Sequence, residues 1–265
     1  MIEVKDLYYS AGATPILNGV TLSVSKGERV GIIGPNGSGK TTLFNCLSGF
    51  NPGVKGEIFF NGSPITSQRP DQRARAGLGR VFQNFGVFRD MTLSENIITA
   101  IESRRNTGKL NGGRFSFNPL SKRNSGKRNR EQAAEYLSMV GLSDRAADKA
   151  SNLSGGQMRM LEIVRTVAFG ADLLLLDEPT AGVSPKMKLD IAALLRKLQS
   201  LGKTYIIIEH DINFIHSLCN RIIVLDQGRI VLDDSPERVR SNPLLQEIYF
   251  GSAVPAANGS LAANS

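Results

Sequence analysis

The segment Gly34-Pro35-Asn36-Gly37-Ser38-Gly39-Lys40-Thr41 carries glycines, a lysine and a hydroxyl at the spacing G-x-x-x-x-G-K-[ST], a combination suited to holding a polyphosphate. Glycines let successive backbone N–H groups turn toward an anion, and the start of a following helix adds its partial positive charge. Lys40 can reach the β and γ oxygens as a point charge, while the Thr41 hydroxyl is placed to ligate Mg²⁺. Further along, four leucines, Leu173 to Leu176, end on two carboxylates. Asp177 can face a metal ion, and Glu178 can act on a water as general base. A third feature is Leu153-Ser154-Gly155-Gly156-Gln157, followed by a helical pattern with Leu161, Val164 and Ala168 on one face. Ser154 can serve as its N-cap, and the glycines leave the helix start open to an approaching anion. One phosphate loop and one separate anion-binding helix start are two halves of a site that need not meet within one molecule.

Such residues need rigid elements behind them. Val30 to Ile33, Leu173 to Leu176, Tyr205 to Ile208 and Ile222 to Leu225 are short apolar runs without alternation, each ending on Gly34 or on an acidic residue. Runs of this kind read as strands buried on both faces, as in a parallel sheet covered by helices, and open α/β sheets place ligands at strand C-termini. Ile2 to Tyr8 and Leu17 to Val24 show a period of two, and Gly56 to Phe60 before Asn61-Gly62 reads as a hairpin, so a small antiparallel layer is expected. Residues 92–101 and 131–140 read as helices, with a mobile polar insertion between them, and 251–265 reads as a flexible tail.

The chain has 265 residues, 41% of them hydrophobic, which suffices for a sizeable core and excludes wholesale disorder. Its formal charge of +8 suggests nucleic acid until it is located. Nine basic residues and no acidic one fall between Ser103 and Arg130, and setting those nine aside leaves 23 basic against 24 acidic residues. The basicity is local. Cys46 and Cys219 have no metal-ligand spacing and suit a reducing cytoplasm. No apolar run approaches the length that crosses a bilayer, and Met1 to Asp6 lacks the layout of a signal peptide.

Taken in order, the phosphate loop at Gly34 to Thr42, Gln83 in Val81-Phe82-Gln83-Asn84, the LSGGQ at 153–157, Asp177-Glu178 and His210 resemble the ATP-binding subunit of an ABC transporter over about residues 1–250. The resemblance implies an α/β P-loop NTPase: a RecA-like parallel sheet, a small antiparallel layer and an inserted helical subdomain at about 84–160 that holds the basic insertion 103–130. It implies an ATPase with ATP and Mg²⁺ as cofactors, and a head-to-tail pair of subunits. ATP would lie between the phosphate loop of one subunit and Ser154, Gly155, Gly156 and Gln157 of the other. Gln83 would contact the metal and the attacking water, and His210 the γ-phosphate; taken singly, each would be an ordinary loop or strand-end residue. Expected partners are a second ATPase subunit, identical or related, transmembrane permease subunits and, indirectly, a solute-binding protein, at the cytoplasmic face of the membrane.

Phe44 to Phe50, Phe88-Arg89-Asp90-Met91-Thr92, the long insertion and the ending Ile248-Tyr249-Phe250-Gly251 resemble, within the family, the high-affinity branched-chain amino acid importers and their urea or amide relatives. Lipopolysaccharide export ATPases are the nearby alternative; a soluble ABC ATPase on nucleic acid, or a P-loop kinase or GTPase, are more distant ones. No specific nucleic acid is expected. Two positions depart from the family pattern. Ala11 stands where an aromatic ring usually stacks on adenine, with Tyr8 or Tyr9 as substitutes if the loop bends, and Ser184 stands where Asp or Asn is common. The basic insertion, with Phe115 and Phe117, reads as a solvated loop, a nucleic-acid arm or a patch drawn to anionic lipid.

Overall fold

The computed structural model describes residues 1–84, 86–107 and 119–250. In chain order the elements are β1 (Ile2–Ala11), β2 (Thr14–Val24), β3 (Arg29–Ile33), α1 (Lys40–Ser48), β4 (Lys55–Phe60), β5 (Ser63–Pro64), α2 (Pro70–Ala76), β6 (Leu78–Val81), α3 (Leu93–Thr107), α4 (Pro119–Met139), α5 (Gly155–Phe169), β7 (Leu173–Asp177), α6 (Pro185–Ser200), β8 (Thr204–Ile208), α7 (Ile212–Leu218), β9 (Arg221–Asp226), β10 (Arg229–Asp234), α8 (Pro236–Ser241) and α9 (Pro243–Phe250). They form a four-stranded sheet in the order β2-β1-β4-β5 and a six-stranded sheet in the order β10-β9-β3-β8-β7-β6. The first is antiparallel; in the second only the β9–β10 pair is.

The unbroken apolar runs follow from two cores, one on each face of the larger sheet. Ile33, Leu174, Leu176, Tyr205, Ile207, Ile222 and Val224 face the helices α3 to α7. Their neighbours Val30, Ile32, Leu173, Leu175, Ile206, Ile208, Ile223 and Leu225 face α1 and the antiparallel layer. A strand of period two that is wet on neither side has no place for a polar residue.

Parallel pairing sets the site. Ile32 and Asp177 both pair with Ile208, and Val81 pairs with Leu176. The phosphate loop, Glu178, His210 and Gln83 therefore all leave the same edge of the sheet within two or three residues of paired positions. Strand β6, Leu-Gly-Arg-Val, has no apolar run and carries Arg80 inside the sheet.

The insertion expected between the two helices is corrected at both of its ends. Helix α3 continues to Thr107 and α4 begins at Pro119, so 103–107 and 119–130 are helical. Arg and Lys are nearly as good helix formers as Ala, so a basic segment extends a helix whose root is packed even though Asn, Ser and Gly126 lie within it. That root is Ile97, Ala100 and Ile101 of α3 against Ala133 and Leu137 of α4, joined at its outer end by Asn129 Nδ2 donating to Glu102 Oε1 at 3.0 Å. Residues 108–118, with Lys109, Arg114, Phe115 and Phe117, and the expected flexible tail 251–265 lie outside the described residues.

Candidate functional site

The phosphate loop leaves β3 at Gly34, where the backbone passes so close to β9 that an added Cβ would lie 2.0 Å from the Leu225 carbonyl oxygen. Only glycine fits. The loop is braced from the β9–β10 turn, where Gly228 N–H donates to Ser38 O at 3.0 Å. Helix α1 then starts from Gly39 at φ +103° without a side-chain cap and without an acidic residue in its first turn. Its positive end is thus open to a cavity of about 580 Å³ lined by Asn36, Gly37, Gly39, Lys40, Thr41, Thr42, Glu178 and His210, together with Thr14, Pro15, Ile16, Asn18 and Gln227. Lys40 Nζ donates to the Gly34 and Pro35 carbonyls at 2.8 Å each. Burial lowers the Lys40 pKa, opposed by Glu178 and Asp177. At the other end of α1, the buried Arg73 donates to the Cys46 and Leu47 carbonyls.

The carboxylates are arranged differently from each other. Asp177 is buried and paired with Arg80, whose NH2 donates to Oδ2 at 2.8 Å. Burial raises the Asp177 pKa, and Arg80 pulls it back. Arg80 lies between the rings of Phe44 and Phe82, 5.3 and 5.1 Å from their centroids. Glu178 faces the cavity with both oxygens engaged: Gln83 Nε2 donates to Oε2 at 3.2 Å, and His210 Nε2 lies 3.0 Å from Oε1. Its backbone is left-handed, at φ +47°. Such a conformation costs on the order of 1 kcal/mol and persists only where neighbours enforce it. Here Glu178 N–H donates to Ile208 O, and the buried Glu209 accepts from Thr180 N at 2.8 Å and Thr180 Oγ1 at 2.7 Å, fixing the turn on both sides.

The start of α5 lies apart: none of Ser154, Gly155, Gly156 and Gln157 lines the cavity. Ser154 Oγ accepts from Gln157 N, and Gln157 Oε1 accepts from Ser154 N at 3.1 Å, a reciprocal capping box. Gly156 is needed for close packing, because a Cβ there would lie 2.0 Å from Met187 Cγ.

The structure therefore brings together the phosphate loop, Asp177, Glu178, His210 and Gln83, and leaves the LSGGQ outside. Neither Tyr8 nor Tyr9 replaces a ring at Ala11: Tyr8 lies over Gly19, Tyr9 packs on the antiparallel layer, and the cavity wall contains no Phe, Tyr or Trp. Ser184 caps α6, accepting from Met187 N at 3.4 Å. His216 faces Glu237 at 3.8 Å, away from the site. Sequence reading missed Arg80, Arg159 and Glu162, all charged and largely buried, and saw Glu209 only as the acidic end of a strand run. The only signal of Arg159 and Glu162 is charge among the apolar residues of α5, and Arg80 has none, since β6 carries no apolar run.

The donors near the phosphate loop are all oxygens: the Thr41 hydroxyl, the Asp177 carboxylate and the Gln83 amide. Among the described residues no three His, Cys, Asp or Glu side chains form a metal cage. Such a set suits Mg²⁺, which prefers oxygen, keeps several waters and is usually held by one or two protein groups plus phosphate.

The sequence pattern of the family described as "ABC transporter" matches residues 17–181. The chain is 39% identical over 254 residues to the high-affinity branched-chain amino acid transport ATP-binding protein BraF of Pseudomonas aeruginosa, covering 96% of this chain and 98% of that protein. A crystal structure of an ABC transporter ATP-binding cassette in its ADP conformation superposes with a TM-score of 0.79 at 30% identity, covering 95% of this chain and 98% of that one. A dimeric cassette in a post-hydrolysis state, bound to ADP and Pi, gives 0.73 at 28% identity, covering 89% and 99%.

Proposed function

Since the chain belongs to the ABC transporter family, we propose that it is the ATP-hydrolysing subunit that powers import of branched-chain or other small amino acids through a membrane permease. The observation that carries this reading is the convergence of four parallel strand ends on one cavity. They bring Lys40, the open start of α1, Glu178 and His210 to its wall, with Gln83 on the Glu178 carboxylate and Asp177 buried one residue before it.

In hydrolysis the triphosphate takes the place of the Gly34 and Pro35 carbonyls as partner of Lys40, and the N–H groups at the start of α1 receive its oxygens. Thr41 and Asp177, with Gln83, would hold Mg²⁺, which when bound supplies neutralisation of charge on the β and γ oxygens. Glu178 orients a water and accepts its proton as the water oxygen attacks the γ-phosphorus; the bond to the β–γ bridging oxygen breaks and ADP leaves. Gln83 and His210 hold one carboxylate oxygen each, so the base needs little reorganisation. A second copy would bring Ser154, Gly155, Gly156 and Gln157 to the open side of the nucleotide. The dimeric relative supports such pairing.

None of the described helices is long and apolar enough to cross a membrane. In keeping with that, the subunit would act at the cytoplasmic face, attached through permease subunits, with a solute-binding protein delivering cargo outside. The test is reconstitution with those subunits in vesicles. ATP-dependent uptake of leucine or another amino acid, lost with Glu178→Gln, is the expected result; ATP hydrolysis without uptake of any amino acid contradicts the assigned cargo.

A further inference from the structure

The loop that carries Gln83 has few backbone partners in the sheet. It leaves β6 at Val81, and its hydrogen bonds come from α5 instead. Arg159 Nη1 donates to Phe82 O, and Nη2 to Gln83 O at 2.7 Å. Glu162 Oε1 accepts from Phe82 N at 3.3 Å and from Gly86 N at 3.1 Å. The two side chains pair with each other at 2.7 Å, and both are almost wholly buried. Spaced three apart, they lie on one face of α5. Arg165 extends the same face, donating to Gly86 O and lying 4.3 Å from the Phe88 ring centroid.

A buried ion pair is poor value as a stabiliser, because desolvation offsets most of its attraction. This one engages four backbone groups of a single loop, two of them flanking the peptide of Gln83. Helix α5 begins at the LSGGQ, and Arg159 lies five residues beyond Ser154, about 7.5 Å along a rigid rod. A chain of direct contacts thus runs from the start of α5, through Arg159, to the Gln83 backbone, and from Gln83 Nε2 to Glu178 Oε2.

We infer that Arg159 and Glu162 are positioning residues for Gln83: they transmit the placement of the LSGGQ helix to the loop after β6, and through Gln83 to the carboxylate of Glu178. Engagement of the LSGGQ with nucleotide held by a second copy then sets the geometry of the base in its own chain. This rests on the proposed paired ATPase.

The test is a double-mutant cycle on the purified full chain. Arg159→Lys keeps the charge opposite Glu162 and cannot reach both carbonyls; it should lower kcat about tenfold, with KM for ATP and the melting temperature nearly unchanged. In a Gln83→Ala background the same change should cost less than about twofold, because the residue it acts through is gone. A tenfold loss in both backgrounds, or no loss in the parent, overturns the clamp. Should Arg159→Lys not fold, Glu162→Gln, which can still accept from Phe82 N and Gly86 N, is read in the same two backgrounds. A parent chain without ATPase activity overturns the paired ATPase and the clamp together; an active parent with an additive cycle overturns the clamp alone.

Discussion

Helices α1 and α5 both have glycine at their starts, Gly39 as the cap of α1 and Gly155-Gly156 as the first residues of α5, yet the two starts are finished in opposite ways. The start of α1 has no side-chain cap and opens onto the 580 Å³ cavity, with Lys40 held at its mouth by two carbonyls. The start of α5 is closed by its own Ser154 and Gln157 and lies outside that cavity. One end is left for a ligand within the chain, and the other is stable without one. On the proposed reading the contrast implies an order of events: nucleotide would bind first to the phosphate loop of a single chain, and the LSGGQ would join it from a second chain.

That division can be broken at either end. Glu178→Gln should reduce turnover by about a thousandfold, the scale of general-base catalysis, while leaving nucleotide affinity within a few-fold, as read by steady-state kinetics and fluorescent-nucleotide titration. Lys40→Met should weaken nucleotide binding about thirtyfold, or about 2 kcal/mol for a charge-assisted contact to phosphate, in the isolated chain. Ser154→Ala should leave that single-chain affinity unchanged, lower turnover about tenfold and cost about 1 kcal/mol of stability through the lost cap, seen by thermal melting. A Ser154→Ala chain with weakened nucleotide binding would merge the two regions into one. The smallest effect expected is from Ala11→Tyr, where a ring opposite Thr14, at a cavity whose wall has no ring, should tighten ATP binding about fivefold by stacking, measured by titration.

The same contrast explains what the sequence made legible. Backbone-driven features are written locally: the glycine spacing at 34–39, the apolar runs that end at Gly34, Asp177, Glu209 and Asp226, and the hairpin at Asn61-Gly62 each follow from conformational or burial rules acting over a few residues. Side-chain devices are not local. Arg80 looks unsuited to a buried strand until Asp177, 97 residues away, is seen to neutralise it. Arg159 and Glu162 look like a solvated pair on α5 until the loop at Phe82 to Gly86 is laid across them. The basic stretch misled in the opposite sense, since its Gly, Asn, Ser, Lys and Arg suggested a loop where the packed roots of α3 and α4 prolong both helices.

Sedimentation of the Glu178→Gln chain tests the two-chain site most directly. ATP should convert it from monomer to dimer and ADP should not, and adding Ser154→Arg to the same chain should keep it monomeric with ATP bound. An ATP-loaded Glu178→Gln chain that stays monomeric, or a dimer indifferent to Ser154→Arg, contradicts completion of the site by the LSGGQ of a second copy.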